Sequence, residues 1–168
     1  FNVDPEARTA ELSITAPATC PRDEQSARAE GSAWWALRAF RELDDAICRL
    51  RMNHPEVGLV LLRCKGSSAT LRTTDALLAR PTDWFVREVS NFVRRTLKRV
   101  DLTSRSFFAL IEPGNAFAGT LFELALAADR VYMLDHPDKK NTVQLSVMNG
   151  GAYPMSNGLT RLQVRFLG

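Results

Sequence analysis

Cys20, Cys48 and Cys64, with His54 and His136, are all the thiol and imidazole groups this chain offers. No CxxC pair occurs, and the five are too scattered for a zinc set, so neither a metal nor a redox cofactor is expected. Three widely spaced thiols read as the reduced cysteines of a cytoplasmic protein. No apolar run reaches transmembrane length, and the first residues, FNVDPEARTAELSI, are no secretory leader, so no membrane partner is expected. Interleaved aromatics and glycines of the RNA-binding kind are missing, and the 22 Lys and Arg are spread along the chain. Nucleic acid is therefore not an expected partner. There is no internal repeat and no low-complexity tract. An initial Met is also missing, and RLQVRFLG at the other end reads as a helix in progress. Both ends read as cut, so the chain is expected to be a piece of a longer protein.

What is present is an ordinary globular composition. The 168 residues suggest one domain; 45% are apolar and 24% charged, enough for a full core. The net charge of +3 suits an anionic ligand. Residues 10–16 alternate and read as a strand, and residues 17–32, rich in Pro, Ser, Asp and Glu, as a loop. Residues 33–52 carry Leu37, Phe40, Leu43, Ile47 and Leu50 on one helical face. Asn53-His54-Pro55 stops that helix. Residues 57–64, VGLVLLRC, read as a strand buried on both faces. A loop over 66–74 and a short helix over 75–79 follow. A long helix over 83–100 presents Phe85, Val89, Phe92, Val93, Thr96 and Val100. Residues 106–111 read as a second buried strand, 119–128 as an apolar buried helix, 131–134 and 142–145 as short strands, and 150–158 as a loop. Strands alternating with helices make the class α/β.

The second buried strand, the Pro113-Gly114-Asn115 turn and the apolar helix form one unit. A helix start presents free backbone N–H groups and the positive end of the helix dipole, which can hold an anion or polarise a carbonyl. Ala118-Gly119-Thr120 is the expected entrance, with Gly119 allowing close approach of a ligand. Glu123 stands one turn inside among Leu121, Phe122, Leu124, Ala125 and Leu126. Burial there raises a carboxyl pKa and suits acid/base work. The residues leave a second reading open: a packing glycine, and a glutamate turned toward a neighbour's backbone N–H or an arginine.

GNAFAGTLFELALAADR, residues 114–130, resembles the crotonase superfamily segment N-G-x-A-x-G-G-G-x-E-L-A-L-A-x-D. The resemblance implies a crotonase-like spiral of ββα units, with residues 1–168 forming a partial domain that lacks the C-terminal helices. By the same resemblance Thr120 supplies an oxyanion N–H, Gly119 is the first glycine of the turn, and Glu123 is the general acid/base. AWWALRAFRELDDAICRLR, DWFVREVSNFVRRTLKRVDLTSRSFFALIEPG and YPM resemble the benzoyl-CoA-dihydrodiol lyase family, in the second crotonase-like half of its long chain, from about Asp4 to Phe166. That family opens the ring of 2,3-epoxybenzoyl-CoA hydrolytically, giving an aldehyde-bearing acyl-CoA and formate in aerobic benzoate degradation. The resemblance implies an acyl-CoA substrate, no cofactor beyond the coenzyme A of that substrate, and a homo-oligomer built through the full-length chain.

Two departures weaken the catalytic reading. The loop that carries the superfamily's first oxyanion element has no glycine near Arg72–Thr74. Arg72 reads either as a contact to CoA phosphates or as a solvated loop residue. Val147 stands where the hydratases carry their second carboxylate, and valine transfers no proton. Ser146 and Asn149 read as structural, or as groups that orient a water. Trp34 and Trp35 read as packing, Cys64 as an inert buried thiol, and His54 and His136 as exposed. The function expected is a segment of an acyl-CoA lyase, largely structural itself. The alternatives are a non-catalytic crotonase-like half that serves packing, CoA docking or dimerisation, a generic enoyl-CoA hydratase/isomerase and, more remotely, an unrelated α/β binding module.

Overall fold

A computed structural model describes residues 1–166. It is a mixed α/β structure, as the alternation of strands and helices predicts. Five strands form one sheet in the order β1 (Asn2–Asp4), β2 (Thr9–Thr15), β3 (Leu59–Lys65), β4 (Ser106–Ile111), β5 (Arg130–Met133). β1 runs antiparallel to β2, and the remaining neighbours are parallel. Parallel neighbours need helical crossovers. Here α1 (Glu24–Glu30) and α2 (Trp35–Asn53) join β2 to β3. α3 (Ser68–Ala79) and α4 (Trp84–Asp101) join β3 to β4, and α5 (Gly119–Ala127) leads into β5. α6 (Arg161–Phe166) ends the described chain. The last two residues of the helix expected at RLQVRFLG lie outside the described residues.

The register places Ala10, Val60 and Phe107 side by side, then Leu12, Leu62 and Ala109, all of them buried. Against this face pack Phe40, Ile47 and Leu50 of α2, Val89, Val93 and Leu97 of α4, and Leu121 and Leu124 of α5. The opposite face of the sheet is only half-buried at Leu61, Arg63 and Phe108. Arg63 there bridges Glu11 and Glu112 at 3.2 and 3.0 Å. So β3, expected to be buried on both faces, is fully buried on one. Its apolar run concealed an alternation. On α4 the helix turns Val86 and Leu97 inward and leaves Phe85 and Phe92 half-buried, a small rotation from the expected face.

Two expected loops contain helices. α1 lies in the polar stretch before α2, started by Asp23, whose carboxylate accepts the Ser26 N–H at 2.8 Å. α3 replaces the expected loop over 66–74, so Arg72 lies on an exposed helical surface. Ser67 caps it by accepting the Thr70 N–H at 3.2 Å. The hydroxyls of Thr73 and Thr74 donate to carbonyls four residues back, which fits β-branched polar residues into a helix. The strand expected over 142–145 is reduced to a single bridge between Gln144 and Ala118. A 3-10 turn over Val147–Gly150 runs up to the start of the loop expected over 150–158.

The three cysteines are free, and burial pushes the Cys64 thiol up, consistent with an inert group. Trp34 is buried against Phe85, and the indole N–H of Trp35 donates to the Thr15 carbonyl at 2.8 Å, so both pack. His54 and His136 are half-buried rather than exposed. No helix among the described residues is long and apolar enough to cross a membrane.

Leu62 sits fully buried at the centre of the sheet, in contact with the helical layer. Leu62→Ala is expected to cost about 2–5 kcal/mol of stability, measured as a lower urea midpoint.

Candidate functional site

The residues around α5 assemble a compact polar cluster inside the apolar core. Ala118 offers no side chain to cap α5, so the first N–H groups of the helix find partners elsewhere. Gly119 donates to the Gln144 carbonyl at 2.9 Å. Thr120 donates its backbone N–H to Asp75 Oδ2 at 3.0 Å and its hydroxyl to Asp75 Oδ1 at 2.5 Å. Ser146 Oγ donates to the same Oδ2 at 2.7 Å. The Asp75 carboxylate, wholly buried on α3, is thus held by three donors from two other segments. The tyrosine hydroxyl of Tyr153 lies 3.4 Å from Thr120 Oγ1.

One turn further in, both oxygens of Glu123 are engaged. Oε1 accepts from Asn149 Nδ2 at 2.7 Å, and Oε2 accepts from Arg161 at 2.8 Å. The guanidinium of Arg161 turns its other edge to Asp101, donating through Nε at 2.9 Å and Nη2 at 2.7 Å. Its Nη1 also donates to the Tyr153 carbonyl at 3.0 Å. Arg161 is 2% exposed and Glu123 likewise 2%, so this ion network is cut off from water. Asn149 spans it, donating also to the Gly119 carbonyl at 3.0 Å while its own Oδ1 accepts the Ser146 N–H at 2.9 Å.

The electrostatics follow from burial. Desolvation pushes the Glu123 carboxyl above its usual range, opposed by the hydrogen bonds of Asn149 and Arg161 and by the charge of Arg161. Desolvation also pushes the Asp75 carboxyl up, opposed by Ser146 and Thr120. The Tyr153 hydroxyl is pushed up by the same cause.

The structure therefore brings Gly119, Thr120 and Glu123 together and leaves Arg72 apart, exposed on α3. Thr120 N–H points at a carboxylate of this same chain. Gly119 does permit a close approach, but the approaching group is Asp75: a Cβ at residue 119, where φ is +44°, would lie 1.7 Å from Asp75 Oδ2. Ser146 and Asn149 act as anchors of the two carboxylates, and Val147 is 62% exposed, away from them. A groove of about 730 Å³ lies elsewhere, between the end of β2 and α2, lined by Ile14, Thr15, Trp35, Arg38, Leu43 and Arg49. Among the described residues no group of three His, Cys, Asp or Glu has the arrangement of a metal site.

Sequence reasoning missed Arg161, Asp101 and the role of Asp75. A buried glutamate demands a cation, so the open reading of Glu123 facing an arginine held the signal. With 22 Lys and Arg in the chain, nothing in the sequence singles out which.

No family model matches the chain. A curated relative is the benzoyl-CoA-dihydrodiol lyase of Aromatoleum evansii, 51% identical over 166 residues, which are 98% of this chain and 30% of the relative. The chain thus spans under a third of the protein it matches, and the resemblance read from the sequence is borne out over nearly its whole length. Among solved structures, a putative enoyl-CoA hydratase from Streptomyces coelicolor A3(2) is 18% identical, covering 73% of this chain and 42% of its own, with a TM-score of 0.44. An enoyl-CoA hydratase/isomerase from Marinobacter aquaeolei is also 18% identical, covering 58% and 39%, with a TM-score of 0.44.

Arg161→Ala would leave Glu123 and Asp101 without their shared cation. The expected loss of stability is about 3–5 kcal/mol, measured by equilibrium denaturation. A second outcome concerns pH. Because the folded pKa of Glu123 is raised, its contribution to stability is full below its ordinary value of 4.5 and is lost as pH rises through the folded value. Gln does not titrate, so the stability of Glu123→Gln relative to the unsubstituted chain is expected to improve as pH rises above that ordinary value, measured by urea midpoints across pH.

Proposed function

We propose that this chain is a structural segment of a benzoyl-CoA-dihydrodiol lyase, within a protein that opens the ring of 2,3-epoxybenzoyl-CoA to an aldehyde-bearing acyl-CoA and formate. The identity to the Aromatoleum protein supports the lyase part of this reading. Coenzyme A enters as part of the substrate, and the full-length chain works as a cytoplasmic homo-oligomer. In this reading residues 1–168 are a crotonase-like partial domain of that longer chain.

The structural role rests on one observation: both oxygens of Glu123 are spent on Asn149 and Arg161 inside a closed ion network. A general acid/base must reach the proton it transfers, directly or through one water. Glu123 is buried and fully bonded, and no second carboxylate stands at Val147 to share the work. The network instead fastens α4, α5, α6 and the turn after Ser146 to one another. A generic hydratase built on two carboxylates is disfavoured by the same geometry.

The test is Glu123→Gln in the full-length protein, assayed for ring opening of 2,3-epoxybenzoyl-CoA. Turnover is expected to stay within about threefold, since removing a general acid or base costs about 10²–10⁴-fold. A loss of that larger size, with the folded content unchanged, would make Glu123 a catalytic group and sink the structural reading.

A further inference from the structure

We infer that Asp75 is a resident occupant: its carboxyl group fills, from within the chain, a pocket at the start of α5 that takes a small monocarboxylate once the side chain is removed. The inference rests on the structural reading of this segment and adds why the entrance of α5 is closed.

Three features support it. First, the donors converge from separate elements. Thr120 contributes a backbone N–H and a hydroxyl from α5, Ser146 contributes a hydroxyl from the turn before the 3-10 segment, and all three meet on the two oxygens of one carboxylate. An ordinary side-chain cap lies next to its helix in sequence, whereas Asp75 is 45 residues from Thr120 and 71 from Ser146. Second, the pocket is shaped around the anion. Any side chain at residue 119 would collide with Asp75 Oδ2, so the glycine makes room for a group that the chain itself supplies. Third, the segments that carry the donors have other anchors. The Gly119 N–H beside Thr120 is bonded to Gln144, and the Thr120 hydroxyl also lies 3.4 Å from the Tyr153 hydroxyl. Ser146 Oγ also accepts the Met148 N–H at 3.2 Å, and the Ser146 N–H is bonded to Asn149. Removing the carboxylate therefore leaves oriented donors facing an empty volume of carboxylate size, at the positive end of the α5 dipole.

The filled pocket has a chemical meaning. A carbonyl oxygen developing negative charge would need the Thr120 N–H, and that N–H is already bonded to the Asp75 carboxyl group in a dry environment. A thioester oxygen would have to displace a carboxyl group that three donors hold. The segment is thereby held closed to acyl thioesters by its own α3.

The experiment is chemical rescue of Asp75→Ala in the full-length protein. Formate matches the group that the substitution deletes, and acetate is one methyl larger. Sodium formate is expected to raise the Tm of Asp75→Ala saturably, by roughly 1–2 °C at ten times its dissociation constant, a small shift because this chain spans 30% of the length of its relative. Acetate should do less and sodium chloride at equal ionic strength nothing; because formate is also a product of the proposed reaction, the shift is read as the excess over that of the unsubstituted protein, which carries any response of a product site. Where Asp75→Ala is recovered poorly, its refolded yield with and without formate gives the second reading, and a formate-dependent yield supports the inference. Equal response to formate and chloride, or a yield indifferent to formate, overturns it and leaves Asp75 as an ordinary cap. This reads binding alone, so it can fail while the turnover of Glu123→Gln stays normal, and the reverse.

Discussion

A carboxylate cannot be buried in an apolar interior without donors or a cation, because the cost of stripping its water exceeds what packing returns. This chain buries Asp75, carried by α3, against the first turn of α5, and Glu123 of α5 one turn further in. Most of the tertiary arrangement around that helix answers this demand. Arg161 is drawn in from the last helix to neutralise Glu123, and it brings Asp101 with it from the end of α4. Ser146 and Asn149 are held by a capping box that aims one at each carboxylate. The hydroxyls and amides here serve the chain's own charges.

The sheet and the long helices were legible because their signal is local. Residues 106–111 read as a strand and are one, and the face Phe40, Leu43, Ile47, Leu50 of α2 is buried as its spacing requires. The apolar character of α5 marked it as interior, and all but Phe122 and Ala127 are buried. Where local chemistry pointed the other way, the reading failed. The threonines of α3 look like loop residues until their hydroxyls are seen returning to the helix's own carbonyls. Leu59–Lys65 looked doubly buried because leucine occupies both sides of the strand, although only one side meets the helices.

The candidate site was half legible for a physical reason. A motif names residues that are close in sequence, and Gly119, Thr120 and Glu123 are indeed together. What those groups do is decided by partners far along the chain, and no pattern within α5 encodes them. The same glycine, N–H and glutamate can serve a ligand or serve Asp75 and Arg161. The second reading left open for Glu123, a carboxylate facing an arginine, described the geometry. The identity of that arginine depended on a fold that sequence spacing cannot supply.

The distances along the chain that these contacts span bear on how the molecule assembles. Arg161 closes loops of 60 residues to Asp101 and 38 to Glu123, and Asp75 closes 45 to Thr120 and 71 to Ser146. Each closure costs chain entropy before it returns any bond, and four must be satisfied together in a dry interior. Such contacts are expected to be absent from the folding nucleus, which the neighbouring strands and helices can form first. Weakening the network would then leave the rate of folding nearly unchanged and hasten unfolding. The buried charges around α5 thus set how long the native state lasts once it is made.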